Sequence, residues 1–416
     1  MSVEHSKILI SAYACRPDKG SEPGVGWNMA VELVKHAKEV WVITRTENRS
    51  SIEAEIAQNP IPGLNFVYYD LPAWARWWKK GERGLHLHYY LWQIGTYLLA
   101  RKLHKQVGFS LAHHVTYGRY CAPSSLSLMP VPFVWGPVGG GEVAPSSFRS
   151  GYSFNGKVYE TLRDVSRWIG EHDPFVYVTA KRSAVAIVAT PETKACVRGL
   201  GTKRIETISG QTGINQEQIE LFEKLAISSS VETPVRFISM GRLLHWKGFH
   251  LGVEAFEAAN LPGSEYWILG DGPERSRLEA LAKKLKIEDK VRFFGVVPRE
   301  EALDKLGQCT ALVHPSLHDF SPTVCIEGMA AGRPVICLDL GGPATQITDE
   351  TGFKVPAQTP DQAIAGMAQA MSLLAKDSEL RSRMGEAGRK RVSESYSWEV
   401  KGQFLKNLYE EVLTQA

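Results

Sequence analysis

Short apolar runs alternate with amphipathic segments along this chain, and the alternation occurs twice. In the first half the strand-like runs are "KILISAY", "EVWVIT", "NFVYYDL", "SLAHHV", "PFVWG" and "AIVAT". In the second half they are "VRFISMG", "EYWILGDG", "VRFFGV", "TALVHPS" and "PVICLDL", with helical patterns such as 248–260 and 274–285 between them. A βαβα alternation buries strands under helices on both faces, so each half predicts a doubly wound parallel α/β sheet. The length of 416 residues suits two such domains of about 200 residues each. A polar, Ser-rich stretch, "GINQEQIELFEKLAISSSVETP", lies between the two sets, which places the boundary near Ser228–Pro234. The expected domains are 1–230 and 231–395, followed by an amphipathic helix at 396–416.

Bulk properties narrow the function. A net charge of +3 is small for this length, so no nucleic-acid partner is implied. The cysteines are Cys15, Cys121, Cys196, Cys309, Cys325 and Cys337, with no CxxC pair, which reads as buried free thiols rather than disulfides or a metal site. The first apolar run, "ILISAYA", is too short for a signal peptide. "YYLWQIGTYLLA" has 12 residues, against the roughly 20 needed to span a bilayer. The expectation is a cytoplasmic protein.

Parallel α/β sheets bind ligands outside the carboxyl ends of their strands, and two such domains facing each other make one cleft. Arg242 and Lys247 follow the strand "VRFISMG" in "SMGRLLHWKG". They are either solvated loop charges or a fork and a point charge for phosphate. "DFSPTVCIEG" (319–328) follows the strand "TALVHPS". Its Ser321 suits an N-cap and Pro322 a first helical residue, and the helix is expected to run to Gly332. Such a helix start favours an anion. Asp319 outside the cap and Glu327 inside the helix would flank an elongated ligand rather than touch. "LGDGP" (269–273) and "LGGPATQI" (340–347) are glycine turns after strands. "GDGPERS" lacks the third glycine of a dinucleotide fingerprint, which argues against a nicotinamide dehydrogenase.

The ordered set "GRLLHWKG", "LGDGPERSRLEAL", "FFGVVPREE", "HPSLHDFSPTVCIEGMAAGRPVI" and "TGFKVP" resembles the retaining GT-B glycosyltransferases of family 4, most strongly over 235–356. The resemblance implies two Rossmann-like domains, the first binding an acceptor and the second a nucleotide-sugar donor. It gives Arg242 and Lys247 to the donor diphosphate. The family's Glu-x7-Glu falls on Asp319 and Glu327, the first at the sugar and the second at the ribose hydroxyls. The backbone of Phe320, Ser321, Pro322, Thr323 and Val324 would meet the diphosphate, with Gly241 and Gly270 close by and Val297 near the base. In the first domain, Gly20, Ser21 and Glu22 fall on the family's glycine-rich loop. The terminal helix would pack back on the first domain.

Two departures stand out. Asp319 is one methylene shorter than the family's Glu. The strand that carries an active-site His in many relatives reads Trp135-Gly136 here, so His113, His114, or the run Gly139–Gly140–Gly141 with Glu142, become the candidate substitutes at the acceptor and sugar. One feature is this chain's own: Trp74, Trp77 and Trp78 at helical spacing beside Arg76, Lys79, Lys80 and Arg83. That pattern suits either a helix packed beside an acceptor groove or peripheral contact with a membrane interface. The implied activity is transfer of a hexose from a UDP- or GDP-sugar to a hydroxyl acceptor, with no metal or other cofactor. A nucleotide-sugar epimerase and a non-catalytic binding module remain as alternatives.

Overall fold

The computed structural model describes residues 2–79, 81, 84–227 and 234–415. Their strands are β1 (Lys7–Ala12), β2 (Glu39–Thr44), β3 (Leu64–Tyr68), β4 (Leu111–Thr116), β5 (Phe133–Val138), β6 (Val185–Val188), β7 (Ile205–Thr207), β8 (Arg236–Met240), β9 (Glu265–Leu269), β10 (Val291–Gly295), β11 (Ala311–His314), β12 (Val335–Leu338) and β13 (Gly352–Val355). They form two sheets, in the orders β3-β2-β1-β4-β5-β6-β7 and β10-β9-β8-β11-β12-β13. Every pairing is parallel. In each sheet the order reverses beside the first strand, the doubly wound pattern whose switch point lies between β1 and β4 or between β8 and β11. The central strands are buried along nearly their whole length, which is why they read as continuous apolar runs.

The chain divides into two compact units. The first holds residues up to Gly141, Asp164–Gly213 and the chain from Trp398 on; the second holds Glu142–Arg163 and Ile214–Ser397. Residues 142–163 and the helix Gln216–Ile227, which the sequence assigns to the first domain, thus belong to the second unit. Packing explains it. Phe148 and Tyr152 are buried in one cluster with Leu243, Phe249 and Leu317, and Phe222 is buried in another with Ile326 and Met329. In the first unit the terminal helix Trp398–Gln415 packs on the helix Ser21–Val34. The Ser-rich boundary at 228–233 lies outside the described residues.

Two strands had no apolar run to announce them. The edge strands β7 and β13 have three and four residues and are only partly buried. The expected Trp helix is a single turn, Ala73–Arg76, with Gly81 and Gly84 at positive φ beyond it. Trp74 and Trp77 are 79% and 76% exposed, and Trp77 lines a cavity of the first unit described below. Trp78 alone turns inward, against the His88 ring, and Lys80 and Arg83 lie outside the described residues. Among the described residues no helix is long and apolar enough to cross a membrane. None of the six cysteines is in a disulfide, and Cys15, Cys309, Cys325 and Cys337 are buried.

Candidate functional site

In the second unit, the loops after β8, β9 and β11 are pressed together by close backbone approaches. A Cβ on Gly270 would lie 2.0 Å from the Gly241 carbonyl oxygen, and Leu243 N–H donates to Asp271 O at 3.0 Å. After a 3-10 turn, His245–Lys247, Gly248 sits where a Cβ would lie 2.0 Å from Pro315 O, and Leu317 N–H donates to Trp246 O at 2.9 Å. These contacts carry Lys247 onto Asp319. The Lys247 ammonium pairs with Asp319 Oδ2, and His314 Nε2 reaches the same oxygen at 2.9 Å. Burial raises the Asp319 carboxyl, but Lys247 and then His314 outweigh it and hold it well below the usual carboxylate range. Lys247 Nζ also lies 4.7 Å from the Trp246 ring centroid. Arg242 is exposed on the same loop.

The Asp319–Pro322 loop rests on the second glycine turn. Gly342 N–H donates to Asp319 O at 2.7 Å, and a Cβ there would lie 2.0 Å from Phe320 O. The following helix is Thr323–Ala330, so it starts one residue later than expected and ends before Ala331. Pro322, not Ser321, is the cap residue, with an extended ψ of 119° and no side-chain hydrogen bond to the helix. Glu327 is buried one turn in, and its Oε1 lies 2.8 Å from Arg299 Nη1. Arg299 opens the next helix beyond the turn at Val297, and Val297 and Val324 pack on one apolar cluster. Lys247 and Asp319 therefore form one pair and Glu327 and Arg299 another, with the start of one helix between them in sequence.

Several of these partners escaped the sequence reading. His314 and Arg299 stand near singled-out residues without a motif of their own. Glu160 Oε1 lies 2.9 Å from both His245 Nε2 and His318 Nε2. The two histidines flank Lys247 and Asp319 in sequence, but Glu160 comes from 142–163, a distance no local pattern reveals.

In the first unit, Gly20 caps the helix Ser21–Val34, with Ser21 at φ +55°. Glu22 Oε1 accepts from Gly118 N–H at 2.7 Å, and burial raises its pKa. His113 and His114 are buried in the first unit's sheet rather than open at a strand end. His113 is fully buried, with Nε2 on Gly136 O and Nδ1 on the Tyr409 hydroxyl. His114 is equally buried, with Nε2 3.2 Å from Tyr117 O. Burial pushes the two down to about 3 and about 4, so both are neutral. Gly139 and Gly141 spend their amides on Gly118 O and Thr193 Oγ1, which removes two donors from the expected sugar contact. Glu142 parts from these glycines, belonging to the second unit beside Gly341. A cavity of about 730 Å³ in the first unit is lined by Arg45, Asp70, Arg76, Trp77, Lys79 and His88 among others.

Comparison with known proteins adds to this geometry. Residues 222–391 match the family model described as "Glycosyl transferases group 1". The lipopolysaccharide core biosynthesis glycosyltransferase LpsE of Rhizobium meliloti is 33% identical over 212 residues, 50% of this chain and 59% of that protein. LpsD of the same organism is 32% identical over 225 residues, 53% of this chain and 61% of its own. The chain thus spans about three-fifths of the length of these relatives. Among solved structures, a sucrose-phosphate synthase from Thermosynechococcus elongatus superposes with a TM-score of 0.69 at 19% identity, covering 99% of this chain and 100% of that one. WaaG, a glycosyltransferase of lipopolysaccharide biosynthesis, gives 0.60 at 16% identity, covering 96% and 99%. Two Rossmann-like parallel-sheet domains, as in GT-B glycosyltransferases, are the fold of this chain.

Proposed function

We propose that the chain is a retaining, metal-independent hexosyltransferase that moves a sugar from a nucleoside-diphosphate sugar to a hydroxyl acceptor. The observation that carries this is the gathering of Lys247, Asp319 and the start of helix Thr323–Ala330 at the carboxyl ends of β8 and β11, inside the group 1 match. In this reading Arg242, Lys247 and the amides from Thr323 on neutralise the leaving diphosphate. Glu327, fixed by Arg299, takes the ribose hydroxyls beside the turn at Val297. Gly20, Ser21 and Glu22 are the first unit's own candidate for a phosphate-binding loop. As the bond from C1 to the phosphate oxygen breaks, the acceptor oxygen bonds to C1 on the same face, and its proton passes to the departing phosphate. The anomeric configuration is kept. Removing one charge-stabilising donor from such a site costs roughly 3–4 kcal/mol of barrier.

The acceptor binds the first unit, whose cavity is lined by Arg45, Arg76 and Lys79 paired with Glu47 and Asp70, a mixed polar surface that suits a hydroxyl-rich acceptor. Two relatives named for lipopolysaccharide core synthesis favour a bacterial surface glycan as its class. A lipid surface is the second partner. The helix Leu85–Val107 exposes Leu87, Ile94 and Leu98 and contains no acidic residue. Its neighbour Pro174–Arg182, joined to it by a Tyr90–Phe175 ring contact, exposes Phe175. The exposed charges of both helices are the cations Arg101, Lys102, Lys105, Lys181 and Arg182. Apolar side chains amid cations suit an anionic bilayer.

The test is a thermal-shift screen with UDP-, GDP- and ADP-sugars, since a ligand of the folded state raises its stability. It is followed by transfer to a core oligosaccharide with the product anomer read by NMR. A stabilising donor and a product of unchanged anomeric configuration support the reading. Donor turnover without acceptor would make the chain an epimerase instead, and binding without turnover a non-catalytic module.

A further inference from the structure

Outside the pairs already described, the second unit buries an acid and two histidines that the proposed chemistry does not use. Glu160 is 1% exposed, His245 and His318 both 8%. Glu160 Oε1 accepts from Nε2 of both rings at 2.9 Å. Burial raises the Glu160 carboxyl, but the hydrogen bonds from His245 and His318 outweigh it, so it stays ionised. An ionised carboxylate only accepts, so both histidines present Nε2–H to it. Aromatic rings fix the rest. Tyr152 and Tyr159 stand edge-on to His245 at 4.9 and 5.3 Å. Trp246 stacks on His318 at 4.7 Å with planes 23° apart.

We infer that Glu160 is a positioning residue, a single-carboxylate clamp that holds the β8 loop and the β11 loop in the register that sets Lys247 against Asp319. His245 stands two residues before Lys247 and His318 one before Asp319. One oxygen of Glu160 therefore ties together the two loops that carry the pair, through rings held by their hydrogen bonds and aromatic neighbours. Apolar packing would close this gap with less desolvation cost, and buried ionic groups are weak as pure stabilisers. What they add is a fixed geometry, which a phosphate-binding cation needs. The inference deepens the donor-binding role proposed for this unit and rests on it.

The test combines Glu160→Gln with Lys247→Met in the full chain. UDP, with GDP and ADP in parallel, is titrated calorimetrically, and backbone hydrogen exchange is followed by mass spectrometry. Glu160→Gln is expected to weaken binding at least about tenfold in an otherwise wild-type background. It should add less than about twofold once Lys247 is Met, because partners acting through one contact are non-additive. Exchange should rise in 242–248 and 315–322 and nowhere else. Binding within about twofold of wild type, additivity with Lys247→Met, or unchanged exchange in those loops would overturn the clamp. If Glu160→Gln does not fold, His318→Phe, which keeps the stack on Trp246, should lose binding while His318→Gln, which restores an N–H donor, keeps it; equal behaviour of the two would refute it. A wild-type chain that binds none of the three nucleotides removes the donor reading, and the exchange data then decide the clamp alone.

Discussion

The ammonium of Lys247 is held by the carboxylate of Asp319, the residue expected to face the donor sugar, and His314 donates to the same oxygen. Asp319 therefore orients the cation proposed for the diphosphate. The pairing also makes a pH prediction. Lys247 and His314 hold the folded carboxyl below its ordinary value of 3.8, against the raising effect of burial. The folded protein keeps this charge where the unfolded chain has taken up a proton. The stabilisation is thus full above 3.8 and drains away as pH falls below it. We expect Asp319→Asn to cost about 1–3 kcal/mol near neutrality, because it leaves a partly buried cation unpaired. The difference from wild type should shrink below about pH 4. Urea unfolding of both proteins from pH 7 down to pH 3 measures it; a pH-independent difference would refute the pairing.

Lengthening the same side chain tests the packing. Asp319→Glu restores the acid of the resembling family, but the carboxylate is enclosed by Lys247, His314 and a backbone resting on Gly342. An added methylene in such a site costs about 1–3 kcal/mol. The expected result is a lower melting temperature together with a changed ratio of affinities for different sugars on one nucleotide, read by calorimetry. Unchanged stability and selectivity would mean that Asp319 has room the structure does not give it.

Lys247→Ala and Glu327→Ala address the two ends of the proposed donor. Each should reduce transfer by roughly 10²–10³-fold, as the loss of one preorganised electrostatic contact does. Circular dichroism should show both folded. Arg299→Ala should weaken donor binding through Glu327, whose Oε1 it holds at 2.8 Å. Near-wild-type rates in Lys247→Ala or Glu327→Ala would end the assignment.

Much of this was readable from residue order alone, and the failures have physical causes. The central strands announced themselves because they are buried on both faces, whereas β7 and β13 are short, sit at sheet edges and are only partly buried. Lys247 and Asp319 were singled out because they follow strand ends, and Glu327 because it lies one turn into the helix after the Asp319 loop, which are local signals. Glu160 was not, since its partners are 85 and 158 positions away and only the fold of 142–163 into the second unit joins them. The burial of His113 and His114 was hidden for the complementary reason. A histidine at a strand end looks free in sequence, and only the fold shows that Gly136 and Tyr409 occupy the ring of His113.

The glycine turns give a contrast between two positions of one residue type. At Gly342 a Cβ would lie 2.0 Å from Phe320 O, so Gly342→Ala must push the Asp319–Pro322 loop away. At Gly20 a Cβ would meet nothing within 4 Å, and φ is an ordinary −78°. We expect Gly342→Ala to cost about 1–3 kcal/mol and to weaken nucleotide binding. Gly20→Ala should leave stability within about 0.5 kcal/mol. A loss of donor affinity in Gly20→Ala at unchanged stability would mark direct contact with the ligand. Thermal melts and nucleotide titrations on the two proteins decide both points.

The exposed apolar face of the first unit calls for its own experiment. Leu98 is 65% exposed and Phe175 56%, on two helices whose exposed charges are all cationic. Both side chains are mostly exposed, Phe175 keeping one edge contact with Tyr90, so Leu98→Asp with Phe175→Asp should leave the melting temperature within a few degrees, about the change expected of surface substitutions. Cosedimentation with vesicles containing about one-third phosphatidylglycerol should show the wild type bound and the double variant in the supernatant. Pure phosphatidylcholine should bind less, and added salt should weaken the contact, because screening shortens the reach of Arg101, Lys102 and Lys105. Wild-type protein that stays in solution with both vesicle types, or self-associates through this face in sedimentation velocity, would replace the lipid surface with a second copy of the chain as the occupant.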